Sequence, residues 1–225
     1  MGIESTIQQV AIAAPPLLFS ITCHEVSHGY VAYKMGDSTA KDAGRLTLNP
    51  LKHLDPLGLL VFVITRFIGW AKPVPVNPWN LKNPRKDMMW IALAGPTTNF
   101  LLALLLALPF RLLTSFDPLL PMYLLSFLNS GSLPPLHGAQ YTYVPIFLML
   151  GTGIIINVAL GFFNLIPIPP FDGGRIVAGI LPSSWVGTYS KLEPYGLLIL
   201  ALFLLLGGFN LISPFIWKTA ALLMG

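Results

Sequence analysis

Two histidines stand four residues apart in His24-Glu25-Val26-Ser27-His28, with a glutamate directly after the first. On a helix, positions i and i+4 share a face one turn apart, so both imidazoles can reach one metal ion. Glu25 can lean toward a metal-bound water as a general base. Zinc held by two histidines needs a third protein ligand and keeps its fourth position for water, the outline of a hydrolytic centre. The motif follows an uncharged apolar run, residues 7–23. A charged side chain at mid-membrane costs about 2.5–3.5 kcal/mol even on the lenient insertion scale, so an ionisable group there reads as functional. Two packing histidines with an interfacial glutamate is the weaker reading on that ground.

A carboxylate suited to complete the set lies far downstream. No Asp, Glu, Lys or Arg occurs between Asp117 and Asp172, and Asp172 then appears in Asn164-Leu165-Ile166-Pro167-Ile168-Pro169-Pro170-Phe171-Asp172-Gly173-Gly174-Arg175. Three prolines end a helix and force extended backbone, and Gly173-Gly174 permit a tight turn beside the carboxylate. Such backbone is tolerated at membrane depth only where it lines a protein cavity. A polar turn just outside the membrane is the alternative. Of the other candidates, His53 lies beside Lys52 and near Asp55 in a solvated basic stretch that suits a surface or structural role. Cys23 points about 100° away from the face of His24 and reads as a packing residue.

The elements that must position these residues are membrane spans. The chain has 225 residues, 54% of them apolar and only 10% charged, and its mean hydropathy is +0.71. A soluble domain carries about 25% charge, so these few charges could not cover a soluble surface. Four apolar segments of about 20 residues or more, about 7–33, 88–113, 143–166 and 194–221, are each long enough to cross a hydrocarbon core. A shorter stretch, 57–70, reads as re-entrant or interfacial, with a fifth span as the alternative. The expected fold is an all-α polytopic membrane protein: one domain, residues 1–225, a helical bundle around a buried zinc site. The N-terminus lacks a basic region and a small-residue cleavage site, so the first segment is not a removable signal peptide. One cysteine excludes an internal disulfide framework and a cysteine-rich zinc site.

Charge sets the orientation. Of 13 Lys and Arg, nine lie within 34–87 and two more, Arg175 and Lys191, between the third and fourth segments. The positive-inside rule makes that side cytoplasmic and both termini outward. The basic balance is thereby a topology signal, and nucleic acid is set aside as a partner. His137 falls in the outer loop, on the wrong side for the metal. If Lys34–Asp37 mark the cytoplasmic surface, His28 lies about 9–14 Å below it at 1.5 Å per residue. On the same side, Arg45–Asn49 and Lys72–Asn77 alternate polar and apolar residues, which reads either as a pair of amphipathic cytoplasmic loops or as a small membrane-associated β element. Pro73 and Pro75 restrict the second segment to an edge. In the third span, Gly153, Asn157, Gly161 and Asn164 share one face, where small residues allow close approach and asparagines need polar partners. Asn99 in the second span reads equally as packing glue or as a site residue.

These motifs together resemble the site-2 protease family of intramembrane zinc metalloproteases, in its compact prokaryotic form. The resemblance rests on HExxH with the distant NLIPIPPFDGG. It extends to Gly95-Pro96-Thr97-Thr98-Asn99, Gly44-Arg45-Leu46-Thr47-Leu48-Asn49-Pro50 and Trp70-Ala71-Lys72-Pro73-Val74-Pro75-Val76-Asn77, so it covers nearly the whole chain. It implies one zinc per chain held by His24, His28 and Asp172, Glu25 as catalytic base, and Asn164 near the metal assisting substrate or oxyanion binding. Larger relatives insert a PDZ domain between core helices, where this chain has only residues 114–142, and no CBS domain follows the last segment. The implied activity is hydrolysis of peptide bonds in or near transmembrane segments, probed from the cytoplasmic face of the cell membrane. The partners would be membrane-protein substrates and the lipid bilayer. A divalent-metal transporter using the same ligands is the rival reading, but a transit site has no need of a non-ligand base such as Glu25. A membrane protease for lipidated C-terminal peptides also uses HExxH, though it would draw further ligands from other helices.

Overall fold

The computed structural model describes residues 3–58 and 71–225. Among these described residues the α-helices are, in order, α1 Ile3–Lys34, α2 Thr39–Asp42, α3 Pro84–Phe116, α4 Leu120–Ser130, α5 Gln140–Asn164, α6 Asp172–Ile180, α7 Ser183–Ser190, α8 Gly196–Leu205 and α9 Gly208–Met224. Three are long and apolar enough to cross a membrane, over Ser5–Lys34, Pro84–Phe116 and Gln140–Asn164. They match the first three expected spans to within a few residues. The expected re-entrant stretch, 57–70, falls almost entirely outside the described residues.

The side chains of α3 show why lipid is the right solvent. Leu101, Leu104, Leu105, Leu108 and Leu112 are each more than half exposed, while Ala103, Ala107 and Phe110 are buried. The exposed positions recur at helical spacing, so one whole face is leucine. A continuous apolar face of that kind is stable only against an apolar surrounding.

The fourth segment, 194–221, is interrupted in the sequence by Gly207-Gly208 and Pro214, and it forms two helices, α8 and α9, broken at Leu206–Gly207, where Gly207 has φ +80°. An L-residue side chain resists that conformation, so the helix stops there. A fourth crossing is available as a bent pair, Ser183–Tyr195 with Leu198–Leu205, at 75°.

The described residues fall into two compact units. One gathers Met1–Ser20, Phe100–Ala159 and Pro214–Gly225. There the Phe110 and Phe147 rings stack at 4.3 Å. The buried Asn157 donates to Ser20 Oγ at 2.7 Å and to the Gly153 carbonyl at 2.9 Å. Gly153 and Asn157 are thus helix-packing residues, as their shared face implied. Ile21–Asn99 and Leu160–Ser213 form the second unit, which carries the motif residues.

No strand forms among the described residues, so the expected β element at 45–49 and 72–77 is not seen; one isolated antiparallel bridge, Leu54 with Ala71, lies outside both segments. Lys72–Asn77 is extended but lies along α1. Val74 N–H donates to Glu25 at one end and Asn77 N–H to Asp37 at the other. The prolines at 73 and 75 have no N–H with which to build a ladder. In Arg45–Asn49 burial does not alternate: Arg45 is 8% exposed, Leu46 and Thr47 are half-buried, and Leu48 and Asn49 are exposed. Arg45 is drawn inward because its Nη2 donates to the Lys72 carbonyl at 2.7 Å.

Candidate metal centre

His24 and His28 are both buried on one face of α1, their rings edge to face with centroids 4.6 Å apart. Asp172 is the first residue of α6, reached through a chain reversal after α5. That reversal is tight. A Cβ on Gly173 would lie 2.2 Å from the Ile166 carbonyl oxygen, and one on Gly174 2.8 Å from Pro169 N. Only glycines let the start of α6 fold back against residues 165–169 and bring the buried Asp172 carboxylate to the histidines.

The three side chains converge. His24 Nε2 and His28 Nε2 are 3.0 Å apart, and each is 3.2 Å from Asp172 Oδ2. Their far nitrogens are engaged elsewhere: His28 Nδ1 is 2.6 Å from the Ile91 carbonyl, and His24 Nδ1 is 2.6 Å from Asn99 Oδ1. A carbonyl oxygen can only accept, so His28 carries its proton on Nδ1 and turns a bare lone pair on Nε2 inward. Asn99 sets His24 the same way through its oxygen. Asp172 Oδ2 is buried and has no hydrogen-bond donor. Three lone-pair atoms within 3.2 Å of one another repel unless a cation sits among them.

Zinc fits this donor set. Two imidazoles and one carboxylate are ordinary zinc ligands, and bonds of about 2.0–2.1 Å in a tetrahedron set ligand atoms about 3.3–3.4 Å apart. The three atoms lie just inside that spacing, and the remaining position faces no fourth protein ligand among the described residues.

Space for the rings depends on α3. A Cβ on Gly95 would come within 2.5 Å of both His24 Cε1 and His28 Nε2. Ile91, Gly95 and Asn99 recur every four residues, so the two histidines on α1 meet a matching stripe: a carbonyl acceptor, a gap, and an amide acceptor. Sequence reading quotes Gly95 only as part of a motif, without a role, and leaves Asn99 undecided. The signal was the equal spacing, four residues in both helices.

Glu25 is half-buried, and its Oε2 accepts from Val74 N–H at 2.9 Å. It is outside the trio of ligand atoms. Asn164, by contrast, donates its side-chain amide to the Leu160 carbonyl of its own helix at 3.0 Å. His53 is 1% exposed, so it is structural and not a surface residue; its Nε2 meets the Thr47 carbonyl at 2.9 Å and its backbone carbonyl accepts from Lys72 N–H. His137 is exposed in its loop, and neither it nor Cys23 joins the cluster. Asp37 was not singled out by sequence. It is fully buried and gathers Thr39 N–H and Oγ1–H, Asn77 N–H at 2.7 Å and the Asn80 amide at 2.8 Å. Burial raises its carboxyl, but these hydrogen bonds outweigh burial and hold it below the usual carboxylate range.

A sequence profile of Peptidase family M50 matches residues 12–207. YwhC of Bacillus subtilis is 37% identical over 183 residues, which is 81% of this chain and 75% of YwhC. Rip2 of Mycobacterium tuberculosis is 31% identical over 161 residues, 69% of this chain and 52% of Rip2, so the chain spans about half of that relative. Zinc metalloprotease MJ0392 of Methanocaldococcus jannaschii is 27% identical over 169 residues, 75% of this chain and 34% of that protein. No solved structure matches the chain.

Proposed function

The chain belongs to Peptidase family M50 and is a zinc metallopeptidase, and from that premise we propose that it cleaves membrane proteins in or near their transmembrane segments. The proposed site is His24, His28 and Asp172 as zinc ligands with Glu25 as catalytic base. The observation that carries it is the convergence of three buried acceptor atoms, one of them a carboxylate oxygen without a donor, within a chain of membrane-spanning helices. Bound there, zinc would polarise the scissile carbonyl and acidify water.

The protein's own groups do the rest. Glu25 takes a proton from the attacking water and returns it to the leaving amine. Val74 N–H holds one carboxylate oxygen of Glu25 and leaves the other for the proton. A helical substrate hides its carbonyls in i to i−4 bonds and must unwind before attack, which favours substrates with helix-weakening residues near the site. Unwound backbone then needs partners. The carbonyls of Lys72–Asn77 and the segment Leu46–Asn49 offer them by partial strand addition, since Val74 N–H is already committed and the prolines have none. Asn164 is proposed as a substrate or oxyanion contact, on the resemblance of its motif and its place at the break after α5. The Lys and Arg distribution supports a multi-pass protein of the cytoplasmic membrane with its site toward the cytoplasm. Because Glu25 stands outside the ligand trio, a transit site for divalent metal accounts for one residue too few.

Co-expression with a panel of single-span membrane proteins tests this reading. Wild type should release a cleaved fragment from at least one substrate, and Glu25→Gln, which keeps shape but cannot take the proton, should release none while retaining zinc. Substantial cleavage by Glu25→Gln would remove it as the base. A photo-crosslinker at position 76 in the Glu25→Gln background should capture the intact substrate.

A further inference from the structure

We infer that Asn99 is a positioning residue for the metal ligand His24: its side-chain oxygen fixes the imidazole in the tautomer and orientation that turn Nε2 toward Asp172. The inference rests on the metal-site reading above and concerns how that site is made ready.

The two histidines are oriented by different kinds of acceptor. His28 Nδ1 meets a backbone carbonyl, Ile91 O, at 2.6 Å. A carbonyl oxygen cannot donate, so that histidine has one available tautomer whatever side chain stands at 91. His24 Nδ1 meets a side chain, Asn99 Oδ1, also at 2.6 Å, and both partners are buried. An amide has two faces. With oxygen toward His24 it accepts, the proton sits on Nδ1, and Nε2 presents a lone pair 3.2 Å from Asp172 Oδ2. Turned over it would donate to Nδ1, move the proton to Nε2, and satisfy Asp172 with an N–H in place of a metal. Asn99 therefore decides whether His24 is a ligand or a carboxylate's hydrogen-bond partner.

Position 99 is also the place from which α3 can do this. Gly95, one turn earlier, leaves room for both imidazoles, and Ile91, two turns earlier, holds the other ring. Ordinary helix packing accounts for a buried asparagine, but not for one whose oxygen lies at hydrogen-bond distance from the nitrogen of a proposed ligand that faces away from the metal. The buried Asn157 is the contrast: its amide donates to Ser20 and to the Gly153 carbonyl.

The test is zinc affinity of the full chain in detergent, by chelator competition, with the absorption bands of the cobalt(II)-substituted protein as a second readout. Removing an outer partner of a metal-bound histidine typically weakens binding about 10–100-fold. Asn99→Leu, close in size but with no acceptor, should lose affinity by that factor and shift the cobalt bands. Asn99→Asp keeps an acceptor and cannot donate, so it should bind zinc at least as tightly as wild type. Asn157→Leu should leave zinc affinity unchanged although it also deletes a buried amide. Wild-type affinity in Asn99→Leu would overturn the inference. Should Asn99→Leu fail to fold, Asn99→Asp decides alone, and a tenfold loss there overturns it. If wild type itself binds no zinc, the metal-site reading falls first and this inference with it; if wild type binds and Asn99→Leu binds equally, only the inference falls.

Discussion

At the scale of single residues, the proposed ligand trio brings together atoms that repel one another until a cation joins them. Purified protein should therefore carry about one zinc per chain, and His24→Ala, His28→Ala or Asp172→Ala should each abolish stoichiometric binding. Metal analysis checks all three, and undiminished zinc in Asp172→Ala would remove that ligand. Gly95→Ala leaves every ligand in place yet sets a Cβ 2.5 Å from two imidazole atoms. It should lower zinc content or affinity by crowding alone, and a wild-type value would mean that α1 and α3 can part without cost. The ligands were legible in the sequence because their chemistry demands particular residue types at particular spacing. The Ile91 carbonyl was not, since every residue has one and only the fold chooses which is used. Asn164 stands between the two. Its motif carries the resemblance, and its side-chain amide donates to the Leu160 carbonyl of its own helix.

Among the elements, three helices were readable from length and hydropathy, and the departures have local causes. The Gly207-Gly208 pair marks an interruption of the fourth segment in the sequence, but only the fold shows that Gly207 adopts φ +80° and divides it into two helices. Alternation suggested strands at 45–49 and 72–77, but side chains of α1 and of the turn after it supply residues 72–77 with the partners that a sheet would have supplied. Glu25 and Asp37 are the two carboxylates that hold Lys72–Asn77 extended. Asp37→Asn exchanges a charged acceptor for a weaker one and turns an N–H₂ toward the Asn77, Thr39 or Asn80 donors. It should cost about 1–3 kcal/mol of stability and loosen the segment that holds Glu25. The acid response gives a second check. Because the folded Asp37 carboxyl titrates below its unfolded value of about 3.9, its contribution is fully present above that pH and is lost as pH falls through the lower, folded value. Thermal unfolding in detergent should show wild type losing its advantage over Asp37→Asn below about pH 4. A constant gap down to acid pH would mean that Asp37 holds the segment without its charge.

For the whole molecule, the question is which way the chain threads the bilayer. Eleven of the 13 Lys and Arg fall in 34–87 and between the third and fourth apolar segments, the side assigned to the cytoplasm. Counting only the described spans α1, α3 and α5, this assignment returns the chain to that side after α5, and the C-terminus then reaches the outside only if the broken helices that follow make a fourth crossing. A contact within one compact unit supports that crossing. Arg111, near the end of α3 that leads into the loop holding His137, donates from Nε to the Leu223 carbonyl at 2.7 Å and from Nη2 to the Leu222 carbonyl. Its guanidinium caps the C-terminal end of α9, where free carbonyls favour a cation. The last residues therefore lie at the same level as the far end of α3. Replacing the single cysteine, Cys23, with serine gives a background for site-directed labelling. Cysteines placed one at a time at the exposed positions 82, 137 and 225 should then divide cleanly. An impermeant maleimide added to intact cells should reach 137 and 225, and reach 82 only after the membrane is opened. Labelling of 82 with protection of 137 would invert the chain and turn the zinc site outward. Labelling of 137 with protection of 225 would show that α8 and α9 do not cross, and that Arg111 meets the C-terminus in some other way.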